Sequence, residues 1–438
     1  MVRLFHGLFF ASAVTITSFM SLPAYAACGA GDELANIYDL DATFSPTSGE
    51  LSVRGKMLLV PDAETSSVEL LLNKAMKLER FEIADDTVKL AIEDDIEISG
   101  QALPRTRRIS LIPAHSFGVG DHLEIELQYS GRLTTEDIEL GRGAVSPDWT
   151  ELTFEAAWYP IWLNEPIICS TVDLVLPEGF EVIGPGATIP IGTNRWYLDP
   201  GAPVLGRITF AASNSWTVER RQFGPLTIAL YSAIPEPRAP QIFGTVEDTY
   251  SYYRELFGEP DGSEQSMTLL LPNGQVALKQ PNQSYSTNGD FIAMDQSDPI
   301  VQLDALNHEI AHLWWSAGKP GTQDEFVSES ISEYLAMRRG GQIWGEDWLR
   351  QRRASAAARA EEIPSSLRDI DGPGGDRQSL LYDRGPTALW ALHERIGEEA
   401  MDALLLSVRA SEIDTLEGFL TKAEIEHPGS ARLLNEKL

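Results

Sequence analysis

The hydrophobic rhythm of this chain changes once, near Phe223-Gly224-Pro225, and that change constrains its architecture more than any other feature. Before it, apolar residues come in short runs, several of them alternating with polar ones and often separated by Gly, Pro, Asn or Asp. Leu51 to Val60, Val68 to Leu72, Ile109 to Pro113, His122 to Tyr129, Leu152 to Phe154, Thr171 to Leu176 and Ile208 to Ala212 are such runs. They predict an antiparallel, sandwich-like β-domain over residues 27–220. After the change, a strand at Leu226 to Tyr231 leads into a helix at Ala239 to Phe257. Two strands follow, Met267 to Leu271 and Phe291 to Met294. From Val301 onward the pattern is helical, apart from a Gly/Pro/Asp loop at Asp369 to Arg377. The expected fold class is α+β and multidomain, with the β-domain first. No internal repeat or low-complexity tract interrupts this order.

Residues 1–26 predict a signal peptide rather than fold. Arg3 precedes an apolar stretch from Leu8 to Met20, and Ala24-Tyr25-Ala26 has the small-x-small form of a cleavage site. The expected location is therefore periplasmic or extracellular. No later segment is long and apolar enough to span a bilayer. The chain has two cysteines, Cys28 and Cys169, which an oxidising compartment would allow to pair. The competing reading is a lipid anchor on Cys28; Tyr25 disfavours it, because an aliphatic residue is expected at that position. A formal net charge of −31 excludes nucleic acid as a partner, since phosphate binding needs clustered Lys and Arg. Arg338-Arg339 and Arg352-Arg353 form a modest basic cluster, expected on a solvated helix surface.

The chemistry concentrates in Asn307-His308-Glu309-Ile310-Ala311-His312, inside the expected helical run Val301 to Trp315. Side chains at i and i+4 share a helix face, so His308 and His312 can converge on one ion. Imidazole nitrogens suit zinc, and Glu309 falls beside the ion, where a base can take a proton from attacking water. A third protein ligand is needed. The next expected helix, Asp324 to Arg338, offers Glu325, Glu329 and Glu333, and one of these could ligate while another holds a ligand histidine in place.

His308 to Trp315, followed by Phe326-Val327-Ser328-Glu329-Ser330-Ile331-Ser332-Glu333-Tyr334-Leu335, resembles the gluzincin aminopeptidases, the family of aminopeptidase N. By that resemblance Glu329 is the third zinc ligand, although sixteen residues separate it from His312 where the family has eighteen. Glu333 is then the candidate partner of a ligand histidine. Tyr382-Asp383-Arg384-Gly385 resembles the family's Tyr-x-Lys-Gly, whose tyrosine donates to the oxyanion of the tetrahedral intermediate. The resemblance implies one zinc ion per chain, a peptide substrate, a thermolysin-like catalytic domain over residues 221–360, and a short helical part, 361–438, completing the active site.

Two features depart from that family. Its Gly-x-Met-Glu-Asn motif, whose glutamate holds the free amino terminus of the substrate, has no counterpart near Asn282-Gln283-Ser284-Tyr285-Ser286. Glu155 is a candidate amine anchor from the β-domain instead. The stretch after Gly385 is also too short for the family's helical superhelix. Exo- and endopeptidase activity are both compatible with these residues. A peptide-binding protein without activity, or a zinc hydrolase of a non-peptide substrate, is the alternative. The strand Asp290 to Met294 is expected to offer a sheet edge to an extended peptide.

Overall fold

Alternation of inward apolar and outward polar residues builds the first unit. In Asn36–Ser45, Tyr38, Leu40, Ala42 and Phe44 are buried while Asp39, Asp41 and Thr43 face out. The computed structural model describes residues 36–438 apart from 62, 85, 95, 99–100, 139–142, 163–166, 201–203, 206–207, 234, 261–264, 272–284, 288–289, 295–298, 320 and 371–375; at 101–102, 167, 204–205, 285–287 and 299–302 it describes the backbone alone. The expected signal peptide, Cys28 and Asn282-Gln283-Ser284 lie outside the described residues.

The main sheet of this unit runs Ala187–Pro190, Arg195–Asp199, Ile167–Val175, Asn36–Ser45, Glu50–Leu59, Leu123–Arg132 and Met76–Ile83. Its neighbours are antiparallel except Asn36–Ser45 against Ile167–Val175, which run parallel with Leu40 opposite Val172. That parallel pair corrects the expectation of a wholly antiparallel domain. Alternation alone does not distinguish the two pairings, and the long connection between these strands makes the parallel one available. Smaller sheets carry Leu70, Leu72, Ile109, Leu111 and Phe210 into the same buried cluster as Tyr38, Val53 and Tyr129. One further expected strand, Leu152 to Phe154, is the end of Trp149–Leu152 followed by a 3₁₀ turn, Phe154–Ala156.

The second unit begins with the hairpin Thr217–Phe223 and Leu226–Ser232, so its sheet takes in residues on both sides of position 220. The sheet continues through Gln265–Leu271 and Phe291–Ala293 and ends, among the described residues, at Tyr285–Thr287. Phe291–Ala293 pairs on both sides, so it is not the edge strand the sequence suggested. Helix α1, Ala239–Phe257, has the expected bounds; Ile242, Phe243, Val246, Tyr250, Tyr253 and Phe257 bury one face of it. Helix α2 is Pro299–Ala311, α3 is Glu329–Trp344 and α4 is Glu346–Glu362. A helical run, Arg377 to Ile396, and the helices Glu398–Ala410, Leu416–Glu426 and Ser430–Lys437 follow. Leu404, Phe419 and Leu434 share one buried cluster with Ile228, Leu269 and Ile310, so the last helices belong to the same core as the sheet.

The two units meet along a third apolar cluster. Trp149, Ile183 and Ala211 of the first unit pack there with Tyr231, Leu270 and Phe291 of the second. Polar contacts join this seam, among them the Gly186 N–H to Oδ2 of Asp290 at 2.8 Å. Among the described residues no helix is long and apolar enough to cross a membrane.

Candidate metal centre

Two expected helices end or break differently from the sequence reading, and both changes shape the site. Helix α2 stops at Ala311, so His312 occupies the turn that follows rather than the helix proper. The N–H groups of Trp314 and Trp315 both bond the Ala311 carbonyl there, at 3.0 and 3.1 Å. The expected helix Asp324 to Arg338 is a 3₁₀ segment, Gln323–Val327, and then α3, which starts at Glu329. Glu329 therefore stands in the first helical turn, where the helix dipole favours a carboxylate.

His308, His312 and Glu329 converge. Nε2 of His308 and Nε2 of His312 are 3.0 Å apart, and Oε2 of Glu329 lies 3.4 Å from the first and 3.6 Å from the second. A tetrahedral ion with bonds of ~2.0–2.2 Å needs ligand atoms about 3.3–3.6 Å apart, the edge being ~1.63 bond lengths. The three separations bracket that edge, and two imidazoles with one carboxylate suit zinc better than calcium or magnesium. His308, His312 and Glu329 are the one such group found among the described residues.

The far side of each imidazole fixes its tautomer. Nδ1 of His312 lies 2.9 Å from the Trp315 carbonyl, which can only accept, so Nδ1 carries the proton and Nε2 is left with a lone pair. Nδ1 of His308 lies 3.0 Å from Oε2 of Glu333 and donates to it. Two Nε2 lone pairs facing each other at 3.0 Å repel unless a cation lies between them. The surrounding carboxylates make a field that favours positive charge at this point. Burial disfavours a charged His308, but Glu329, Glu333 and Glu309 outweigh it and hold its pKa well above the ordinary histidine range. His312 is raised against burial by the same Glu329. Burial would raise Glu329, yet the two imidazoles hold it well below the usual carboxylate range.

Tyr382 reaches the same point from the other side. Its hydroxyl donates to Oε2 of Glu329 at 2.5 Å, and its ring stacks on His308 with centroids 5.3 Å apart. Burial and the Glu329 charge keep the phenol protonated by raising its pKa well above normal. Tyr382 sits in a π-helical turn, Leu380–Arg384, inside a continuous helical run. A π turn displaces backbone partners, and Ser330 Oγ of α3 donates to the Leu381 carbonyl at 2.7 Å. A Cβ on Gly385 would lie 2.0 Å from Ser330 Oγ, so this approach of the run to α3 requires glycine. Glu309 is half-buried, and its charge is felt at His308, His312 and Tyr382. Glu155 lies half-buried on the 3₁₀ turn of the first unit.

Sequence reasoning missed the layer behind Glu333. Arg352, expected on a solvated surface, bonds Oε1 of Glu333, and its Nε donates to Oδ2 of Asp304 at 3.2 Å. Arg338 is buried and paired with Glu398 and Asp402, and Arg353 lies over the Trp390 ring. The spacing of Asp304, four residues before His308, was the available signal, because it puts both on one face of α2.

No protein-family model and no characterised relative matches the sequence. Solved structures do match the fold. An M1 zinc metallopeptidase from Deinococcus radiodurans aligns with a TM-score of 0.55 at 16% identity, covering 91% of this chain and 92% of that one. A variant of it bound to a Tyr-Ser-Ala substrate aligns at 0.53 and 16%, with the same coverage. Yeast LTA4 hydrolase aligns at 0.59 and 16%, over 91% of this chain and 66% of its own. The shared architecture is a β-sheet domain followed by a mainly helical unit.

Proposed function

We propose that this protein is a zinc-dependent metallopeptidase, with His308, His312 and Glu329 holding the metal. The observation that carries the reading is the convergence of those three donor atoms, with both Nδ1 atoms engaged elsewhere and Tyr382 donating to Glu329. When bound, zinc supplies a Lewis acid that lowers the pKa of water and polarises the scissile carbonyl. Glu309 takes a proton from the attacking water and returns it to the leaving amine. Tyr382, held protonated, donates to the oxyanion as charge develops. Glu333 keeps His308 in the tautomer that leaves Nε2 free. Tyr285–Thr287, the last strand of this sheet among the described residues, pairs with Phe291–Ala293, and its other side is the candidate place for an extended peptide. Glu155 is the candidate anchor for a substrate amino group.

Export fits the same reading. Cys169 is disulfide-bonded, and Cys28 is the other cysteine of the sequence. A disulfide belongs to an oxidising compartment.

The test is cleavage mapping by mass spectrometry. Zinc-loaded residues 27–438 are mixed with peptides bearing free or acetylated amino termini, with Glu309→Gln alongside. Trimming of free termini alone means an aminopeptidase; internal cuts in both sets mean an endopeptidase. Bound zinc without any cut moves the reading to a peptide-binding protein or to hydrolysis of a non-peptide substrate.

A further inference from the structure

Three helices meet behind His308, and each contributes a charged side chain. Asp304 stands one turn before His308 on α2, Glu333 lies on α3, and Arg352 on α4. Glu333 uses both oxygens: Oε2 accepts from His308 Nδ1 at 3.0 Å, and Oε1 accepts from Arg352. The same guanidinium donates through Nε to Asp304 Oδ2 at 3.2 Å, while Oδ1 of Asp304 is buried with no partner among the described residues. The side chains of Glu333 and Asp304 are 8% and 14% exposed, so water does little to separate their charges. Close packing brings Arg352 there. A Cβ on Gly340 would lie 2.3 Å from Trp348, and one on Gly341 2.9 Å from Leu349, so α4 lies against α3 closer than larger residues would allow.

We propose that Arg352 is a positioning residue for the metal centre, clamping Glu333 and Asp304 so that Glu333 stays seated on the Nδ1–H of His308. The inference rests on the reading of His308 as a metal ligand. A planar guanidinium can bridge two carboxylates at once; an ammonium cannot hold both in the same geometry. Without the arginine, two buried acids face each other with no counter-charge, and Glu333 no longer has one fixed place. The imidazole then loses its orientation, and with it metal affinity.

The experiment measures zinc affinity by competition with a chromophoric chelator, and the visible ligand-field spectrum of the cobalt-substituted protein. Arg352→Met should weaken zinc binding by about 10–100-fold and alter the cobalt spectrum. Arg352→Lys should fall between it and the wild type, weaker by about threefold or more. Adding Asp304→Asn to Arg352→Met should restore part of the affinity by removing one of the two orphaned acids. Arg359→Met serves as the control for α4. Arg359 bonds both oxygens of the buried Asp383 at 3.0 Å from Nε, so its loss disturbs the docking of α4 without touching Glu333. Zinc affinity should survive that change. Wild-type affinity and spectrum in Arg352→Met overturn the proposal, as does an equal loss in Arg359→Met. If the Met variant does not fold, Arg352→Lys decides alone, and wild-type affinity there overturns it. A wild-type chain that binds no zinc overturns the metal reading and this inference together, whereas normal wild-type binding with an unaffected variant overturns this inference alone.

Discussion

The two units use the same charged residues in opposite ways. On the main sheet of the first unit, Arg54 faces Asp41 directly across two strands at 3.1 Å, with side chains 75% and 48% exposed. In the second unit Arg377 grips Glu325 through both carboxylate oxygens, and Glu325 is 5% exposed. A sheet satisfies its own backbone, so its outward charges answer mainly to water. Around the candidate metal centre, charged side chains from neighbouring helical elements pair with one another out of water. In such places a missing partner leaves an unpaid desolvation cost, so these pairs hold geometry as well as stability.

Substitutions can break or sharpen this contrast. The largest effect belongs to the centre that the buried charges support. Glu309→Gln should lower kcat for peptide hydrolysis by about 10²–10⁴ while zinc stays bound, checked by turnover and metal content on the same sample. Next comes the buried pair. Arg377→Met should cost about 3–5 kcal/mol in chemical denaturation, because Glu325 is left buried and unpaired. Combining it with Glu325→Gln should recover much of that loss.

The seam between the units gives an intermediate case with a pH signature. Burial pushes the Asp290 carboxyl up to about 6, against hydrogen bonds from the Gly186 N–H and its own. Its unfolded value is ~3.9. The folded state therefore binds the extra proton between those values, and stability falls as pH rises from about 4 through about 6. The fall should total about 3 kcal/mol, with no further change from this group above pH 7. Asp290→Asn should flatten that slope, read from denaturation at a series of pH values. The smallest effect is expected on the sheet. Arg54→Ala should change stability by less than ~1 kcal/mol, shrinking further in high salt. A loss there as large as that of Arg377→Met would erase the contrast.

Legibility in the sequence followed the range of the interaction. Helix α1 was readable to its last residue because an apolar face of i, i+3 and i+4 spacing is a local property. The order of a β-domain before a helical unit was readable for the same reason, and the matching solved folds share it. The parallel partner of Asn36–Ser45 was not readable, since it lies more than a hundred residues away. Nor was the inner position of Phe291–Ala293, because an apolar run does not say how many neighbours it will have. Arg352 looked like solvated surface because α4 is polar along most of its length; close contact at Gly340 and Gly341 carries it under α3.

The sequence by itself marked the pair His308 and His312, with Glu309 next to the first, since that spacing is local. It also determined the alternating faces of the strands and the succession of units. Tertiary structure alone decided that Oε2 of Glu329 faces both Nε2 atoms, that Tyr382 donates to that oxygen from 53 residues away, and that Arg352 stands behind Glu333. Those contacts depend on how helices pack, and packing is set by the summed shape of many distant side chains rather than by any local period.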